Sequence, residues 1–177
     1  VMYMVSIKAL NSREPDKISQ IFDIHKQYCS ENGNGELTVG LKEDLEDTRS
    51  IVIVANNEKG EICGYLLAIE HNHACELFKD FDPLLQEDPK RYYVDLLEIV
   101  EELKNPKVPI NLILSMVQEA AKRGIFGFSM HIRASLSEKF MHLIRKRIHT
   151  NVRQVRKVSG NWYGSAEEFV YIEGTIK

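Results

Sequence analysis

The chain has three cysteines in 177 residues, Cys29, Cys63 and Cys75. That is an odd number with no C-x-x-C pair, which argues against a disulfide framework and against a thiolate zinc site. A reducing, cytoplasmic setting follows. No apolar run reaches the roughly 20 residues of a membrane span, and the opening VMYMVSIKAL lacks the basic n-region and long apolar h-region of a leader, so no membrane partner is expected. The formal charge of -3 and the pI near 6.1 leave no basic excess for general polyanion binding. No serine or cysteine stands in a nucleophile-elbow sequence, which disfavours nucleophilic hydrolysis. Glycine is missing from ELKNPKVPI, Glu102 to Ile110, between a strand-like run and the most helical segment of the chain. Some folds place a phosphate-binding glycine loop at such a junction.

What is present reads as one α/β domain over 1–177. Met2 to Leu10 alternates as a strand, and Pro15-Asp16 opens a helix with Ile18, Ile21, Phe22, His25 and Cys29 at helical spacing. A shorter amphipathic piece spans Thr38 to Asp47. Ser50 to Ala55 and Ile62 to Ile69 form a hairpin around the turn at Asn56 to Gly60. The acidic stretch Cys75 to Pro89 reads as a short helix and loop. Tyr92 to Val100 is a strand carrying Asp95 and Glu98 among apolar neighbours. Ile110, Ile113, Leu114, Val117, Ala120 and Ala121 trace a buried helix face, with Pro109 suited to the first helical position and Gly124 to the stop. Phe126 to Ala134 alternates as a strand. Ser135 with Glu138 forms the pattern of a capping box for a helix to Ile148, and Val152 to Val158 and Phe169 to Ile176 supply two more strands. The strand, helix, strand unit at the centre suits a right-handed parallel crossover, whereas the other strands suit antiparallel pairing.

This order, with MVQEAAKRGIFGFSMHIRASLSEKFMHLIRKRI at its centre, resembles the GNAT N-acetyltransferase superfamily. The resemblance implies a mixed, mostly antiparallel central sheet with helices on both faces and a central βαβ unit. It also implies acetyl-CoA as cosubstrate and an acetyl group passed by direct attack to an amine, on a small molecule or a peptide. In that superfamily the loop after the fourth strand reads Gln or Arg, two residues, Gly, one residue, Gly or Ala, and its backbone N–H groups hold the pyrophosphate. Counted back from AAKRG, these positions fall on Lys104, Lys107 and Pro109. Lysine replaces the usual glycine, and proline removes one N–H donor. Donor binding carried over in this way involves Ile99, Lys104, Lys107, Val108, Ile110 and Asn111, with lysine side chains supplementing the remaining N–H groups. The competing reading is a degenerate loop in a non-catalytic domain that binds a protein, a nucleic acid or another ligand. A third is a transferase with a different acyl donor.

For catalysis the resemblance asks for a carboxylate on the central strands and a tyrosine on the helix after them. Asp95 and Glu98 are the available acids, and burial among Leu96, Leu97 and Ile99 would raise a carboxyl pKa toward that of a general base. The plainer reading leaves one facing solvent and the other at a strand edge. The tyrosine position lands on Leu143, beside His142, which is the alternative proton donor or else a boundary residue. His71-Asn72-His73 would put two imidazoles on one side of an extended chain, a metal-compatible arrangement, although a solvated loop is the simpler reading and no metal is expected. His131 reads as sheet packing. Arg145 to Lys157 carries six basic residues and no acid; with Trp162, Tyr163 and Tyr171 it is the one candidate nucleic-acid footprint. The acidic runs Glu43 to Asp47 and Glu76 to Asp88 favour a cationic amine instead. The sequence leaves the oligomeric state open, a dimer included.

Overall fold

A computed structural model describes residues 4–32, 38–103, 105–162 and 165–176. The elements run β1 (Ser6–Ala9), α1 (Pro15–Asn32), α2 (Leu41–Glu46), β2 (Ile51–Asn56), β3 (Ile62–Glu70), α3 (His71–Leu77), β4 (Arg91–Ile99), α4 (Lys107–Lys122), β5 (Gly127–Arg133), α5 (Ala134–Ile148), β6 (Thr150–Trp162) and β7 (Ser165–Ile176), with a single 3-10 turn at Glu101–Leu103. The seven strands form one sheet in the order β1-β2-β3-β4-β5-β7-β6. Every pairing is antiparallel except β4 with β5, which α4 joins as a crossover.

Helices cover both faces, so the central strands are apolar on both sides. Alternate residues of β2 and β3 divide between two cores. Ile51, Ile53, Leu66 and Ala68 meet Leu112, Ile113 and Met116 of α4 with Met141 and Ile144 of α5. Val52, Val54, Tyr65 and Leu67 meet Ile18 and Ile21 of α1 and Leu41 and Leu45 of α2. On this second face, residues 78–90 lie across the sheet, with Phe81 and Leu85 packed on Val158, Phe169 and Tyr171. The acidic stretch is therefore tied down.

Local chemistry explains the element ends, including three that differ from expectation. Gly124, at φ 75°, closes α4 in a Schellman arrangement: its N–H donates to Ala121 O and that of Ile125 to Ala120 O. The start of α4 lies two residues before Pro109, which is tolerated because first-turn N–H groups have no intrahelical acceptor. The capping box at Ser135 does not form, since β5 runs directly into α5 and the helix already begins at Ala134, without a side-chain cap. His71 and His73 sit on the short helix α3 instead of an extended chain, continuing from β3 without a loop.

The hairpin β6–β7 is fastened to β5 by close approach at Gly174, where an added Cβ would stand 2.2 Å from Cε1 of Phe128. Phe128 is fully enclosed and has nowhere to swing. Gly174→Ala is expected to destabilise the fold by about 1–3 kcal/mol in denaturant titration, with part of that loss recovered in Gly174→Ala/Phe128→Leu.

Candidate active site

The site begins where a strand pair stops. β4 and β5 are paired only from Arg91↔Gly127 to Tyr93↔Ser129, after which they diverge. At the same point β4 is irregular against β3: Leu67 faces Leu96 and Ala68 faces Val94, leaving Asp95 as an extra residue without a partner. Such a bulge bends its strand and redirects side chains. The result is a cleft of about 170 Å³ lined by Asp95, Glu98, Tyr28, His131, Arg133 and Leu136 among others. Strict alternation would send Asp95 and Glu98, three residues apart, to opposite faces. The bulge brings both to the cleft.

Their environments differ. Glu98 is buried; its Oε1 accepts hydrogen bonds from the Tyr65 hydroxyl and from His25 Nδ1 at 2.7 Å. His25 Nε2 faces the backbone N–H of Thr38 at 3.1 Å, so Nδ1 is the ring nitrogen that donates to Glu98. Oε2 of Glu98 and Oδ1 of Asp95 are both shut away from solvent without a hydrogen-bond partner. Burial pushes the Asp95 carboxyl up to about 7, and the negative neighbours Asp44 and Glu98 add to the shift against the opposing effect of His25. The Asp44 carboxylate is in turn held by His73 Nε2 at 2.9 Å.

A second polar chain crosses the mouth of the split. The Tyr93 hydroxyl donates to His131 Nδ1 at 2.7 Å, and His131 Nε2–H donates to Asp82 Oδ2 at 2.8 Å. Asp82 also accepts from Arg156 Nε at 3.0 Å, and the Arg156 guanidinium lies 4.4 Å from the centre of the Tyr171 ring. β4, β5, the 78–90 segment and β6 are thereby linked by side chains just beyond the last β4–β5 pair. Burial lowers the His131 pKa and keeps the ring neutral. For Asp82, burial alone would raise the pKa, but hydrogen bonds from Arg156 and His131 outweigh it and hold it below the ordinary value. Beneath this chain Ser129 Oγ–H donates to His71 Nδ1 at 2.7 Å, and His71 Nε2–H donates to Gln86 O at 2.8 Å.

The other sequence candidates fall elsewhere. His142 is exposed on α5 and does not line the cleft, while Leu143 is half-buried against the core. Ile99 closes β4, half-buried, and is not among the cleft-lining residues. Lys104 lies outside the described residues. Lys107 and Asn111 are exposed on α4, and the side chains of Val108 and Ile110 are turned into the core. The N–H of Lys107 donates to Asn105 Oδ1 and that of Val108 to the Asn105 carbonyl oxygen, each at 3.0 Å. Among the described residues no group of His, Cys, Asp and Glu could hold a metal ion. The basic run is largely partnered: Arg145 Nη2 reaches Val152 O at 2.6 Å, Arg153 reaches Glu173, Arg156 Asp82 and Lys157 Glu168. Tyr171 is buried beneath Arg156, so it offers no stacking face, and Tyr163 lies outside the described residues.

Removing Asp82 strands a partly buried arginine and a buried histidine side chain together, so Asp82→Ala is expected to cost about 3–5 kcal/mol. The sign with pH follows from the lowered pKa. The ion pair contributes fully above the unfolded carboxyl value of about 4, and that contribution is lost as pH falls through the folded value. Acid titration of Asp82→Asn should therefore show a shallower loss of stability than the parent protein below about pH 4.

No protein-family model matches the sequence, and no curated protein matches it. Solved structures do. A ribosomal-protein-alanine N-acetyltransferase from Brucella melitensis superposes with a TM-score of 0.68 at 14% identity, covering 97% of this chain and 99% of that one. An N-acetyltransferase from Staphylococcus aureus Mu50 gives 0.70 at 12% identity over 98% and 99% of the two chains. An acetyltransferase of the GNAT family from Streptococcus pneumoniae gives 0.68 at 12% identity over 98% and 100%. At such identities the likeness is one of architecture, and the chain has the fold of the GNAT N-acetyltransferases.

Proposed function

We propose that the protein transfers an acetyl group from an acyl thioester of the acetyl-CoA type to a cationic amine bound in the β4–β5 cleft. The observation that carries this reading is the half-buried Asp95 carboxyl, its Oδ1 without a partner and its pKa near 7, set at the bulge where the strands part. A base working near neutral pH needs such a value. Two acids lining one cleft also favour a donor-rich cation, which an ammonium group supplies. Asp95 accepts a proton from that ammonium, and the freed nitrogen lone pair attacks the acyl carbon. A C–N bond forms, the C–S bond breaks, and the thiolate leaves, taking up the second proton that the nitrogen sheds to give free thiol, without a covalent enzyme intermediate. Glu98, fixed by His25 and Tyr65, orients the amine.

The separation of β4 from β5 after Tyr93 also leaves strand-edge groups of β4 without a β5 partner. Such an edge recognises a chain of amides by β-type hydrogen bonds and can donate an N–H to an acyl oxygen. This suits the amide-bearing arm of acetyl-CoA. The diphosphate fits less well, because Asn105 already occupies the first two N–H groups of α4 and Pro109 supplies none. That same observation favours the second reading, a non-catalytic binding domain on this fold. Cys29, Cys63 and Cys75 are free thiols, in keeping with action in a reducing cytoplasm. No helix among the described residues is long and apolar enough to cross a membrane.

Release of free thiol from acetyl-CoA, followed across a panel of primary amines and peptide N-termini, tests the reading. Asp95→Asn should lower kcat/KM by roughly 10²–10⁴-fold. In the parent protein, log kcat/KM should climb with pH and level off above about 7, and Asp95→Asn should lose that dependence. Thiol release in no member of the panel, or an unchanged rate in Asp95→Asn, would leave the binding domain as the better account.

A stability measurement checks the same group without turnover. A carboxyl whose folded value is raised favours folding with its proton on, so the protein loses stability as pH rises from about 4 to about 7. The melting temperature of Asp95→Asn should exceed that of the parent at pH 8, with the gap closing below about pH 4.

A further inference from the structure

An anion is held at a helix start by N–H groups that the helix itself leaves free. In α4 those groups are already committed. The Lys107 N–H is bonded to the Asn105 side chain, the Val108 N–H to the Asn105 carbonyl oxygen, and Pro109 has no N–H. Pro106, at the N-cap, has no N–H either, and the first residue whose N–H the helix itself bonds is Ile110. Its side chain, like that of Val108, is buried in the core, which anchors the turn in place. A diphosphate approaching this end would have to displace Asn105 from two donors at once. The cleft presents the opposite situation, with a strand edge of β4 that β5 leaves unpaired beyond Tyr93.

Building on the acyl-transfer reading, we infer that the donor is recognised through its thioester and pantetheine arm alone, with any diphosphate contributing nothing to affinity. The donor class is then an acyl group on a pantetheine-type thiol, with or without an attached nucleotide. Asn105 and Pro109 are the residues that set this preference: one fills the anion site from within and the other deletes a donor from it.

Calorimetric titration of the full chain with pantetheine, desulfo-CoA and inorganic pyrophosphate tests the inference. In the parent protein pantetheine and desulfo-CoA should bind with Kd values within about threefold of each other, and pyrophosphate should give no saturable heat. In Asn105→Ala/Pro109→Gly, desulfo-CoA should tighten by about tenfold or more and pyrophosphate should become a ligand, with pantetheine unchanged. Asn105→Ala alone, which leaves the helix intact, should move the same way by a smaller factor. Desulfo-CoA binding the parent about tenfold tighter than pantetheine would overturn the inference; loss of that preference in Lys107→Ala would assign it to side-chain charge. Failure of the double variant to gain pyrophosphate binding while it still melts cooperatively would also overturn it. If neither pantetheine nor desulfo-CoA binds any variant, the acyl-transfer reading falls, while the anion site is still judged by pyrophosphate: saturable binding to the parent refutes its occlusion by Asn105, and binding only after substitution upholds it.

Discussion

The structure depends on a parallel strand pair that is allowed to come apart. Pairing of β4 with β5 spans three residues, and the sheet is otherwise continuous on either side of the gap. Two strands that separate inside a sheet expose main-chain polar groups in an otherwise dry interior, which is costly unless something else occupies the space or satisfies the edges. Here the split is stabilised at its root. Tyr93, His131, Asp82 and Arg156 connect four segments by side-chain hydrogen bonds at the last paired rung, and aromatic rings of Phe81, Tyr93 and Tyr171 pack around the imidazole. The histidine stays neutral in this setting and serves as a two-ended connector.

Charge is distributed around the gap in two ways. At the root, Asp82 is compensated by an arginine and lies low on the pH scale. Within the cleft, Asp95 has no cation beside it and lies high. Both acids are on the same face of the sheet, so the difference comes from partners and not from depth alone. Glu98 lies between these cases: it is buried, bonded on one oxygen and orphaned on the other. Its support reaches from α1 through His25 to the backbone of Thr38, which ties the shape of the cleft to the chain segment that follows α1. An arrangement with an uncompensated, half-buried acid destabilises the folded state, and stability given up at one point of a well-packed domain commonly marks a place of use.

Much of the architecture was legible because it rests on periodicity. The helix face from Ile110 to Ala121, the glycine stop at Gly124 and the β-branched run at Ser50 to Ala55 each follow from local chemistry that no tertiary contact reversed. The acids of the cleft were legible as residues, since carboxylates among leucines and isoleucines stand out. Their shared direction was not, because the bulge at Asp95 arises from pairing with β3 and leaves no mark in the sequence around it. His131 looked like ordinary sheet packing, and its partners Asp82 and Arg156 are distant in sequence and come together only when β6 and the 78–90 segment meet over β5. Asn105 was hidden for a related reason. Helix periodicity placed the start of α4 at Pro109, and the asparagine whose side chain accepts the Lys107 N–H lies ahead of that boundary.

The strand order carries a further consequence, for how the molecule is made. β5 is flanked by β4 on one side and by β7 on the other, and β7 is the later strand of the final hairpin. Chain emerging in sequence therefore presents β5 with an uncovered edge until β6 and β7 have both followed, since Phe128 can close only over Gly174. The first four strands and α1 can associate before that point, whereas the half of the cleft contributed by β5 must wait for contacts distant in sequence, the slowest kind to form. Partly synthesised or truncated chains should expose the sticky edge of β5, and the late hairpin acts as the fold's own closing clasp.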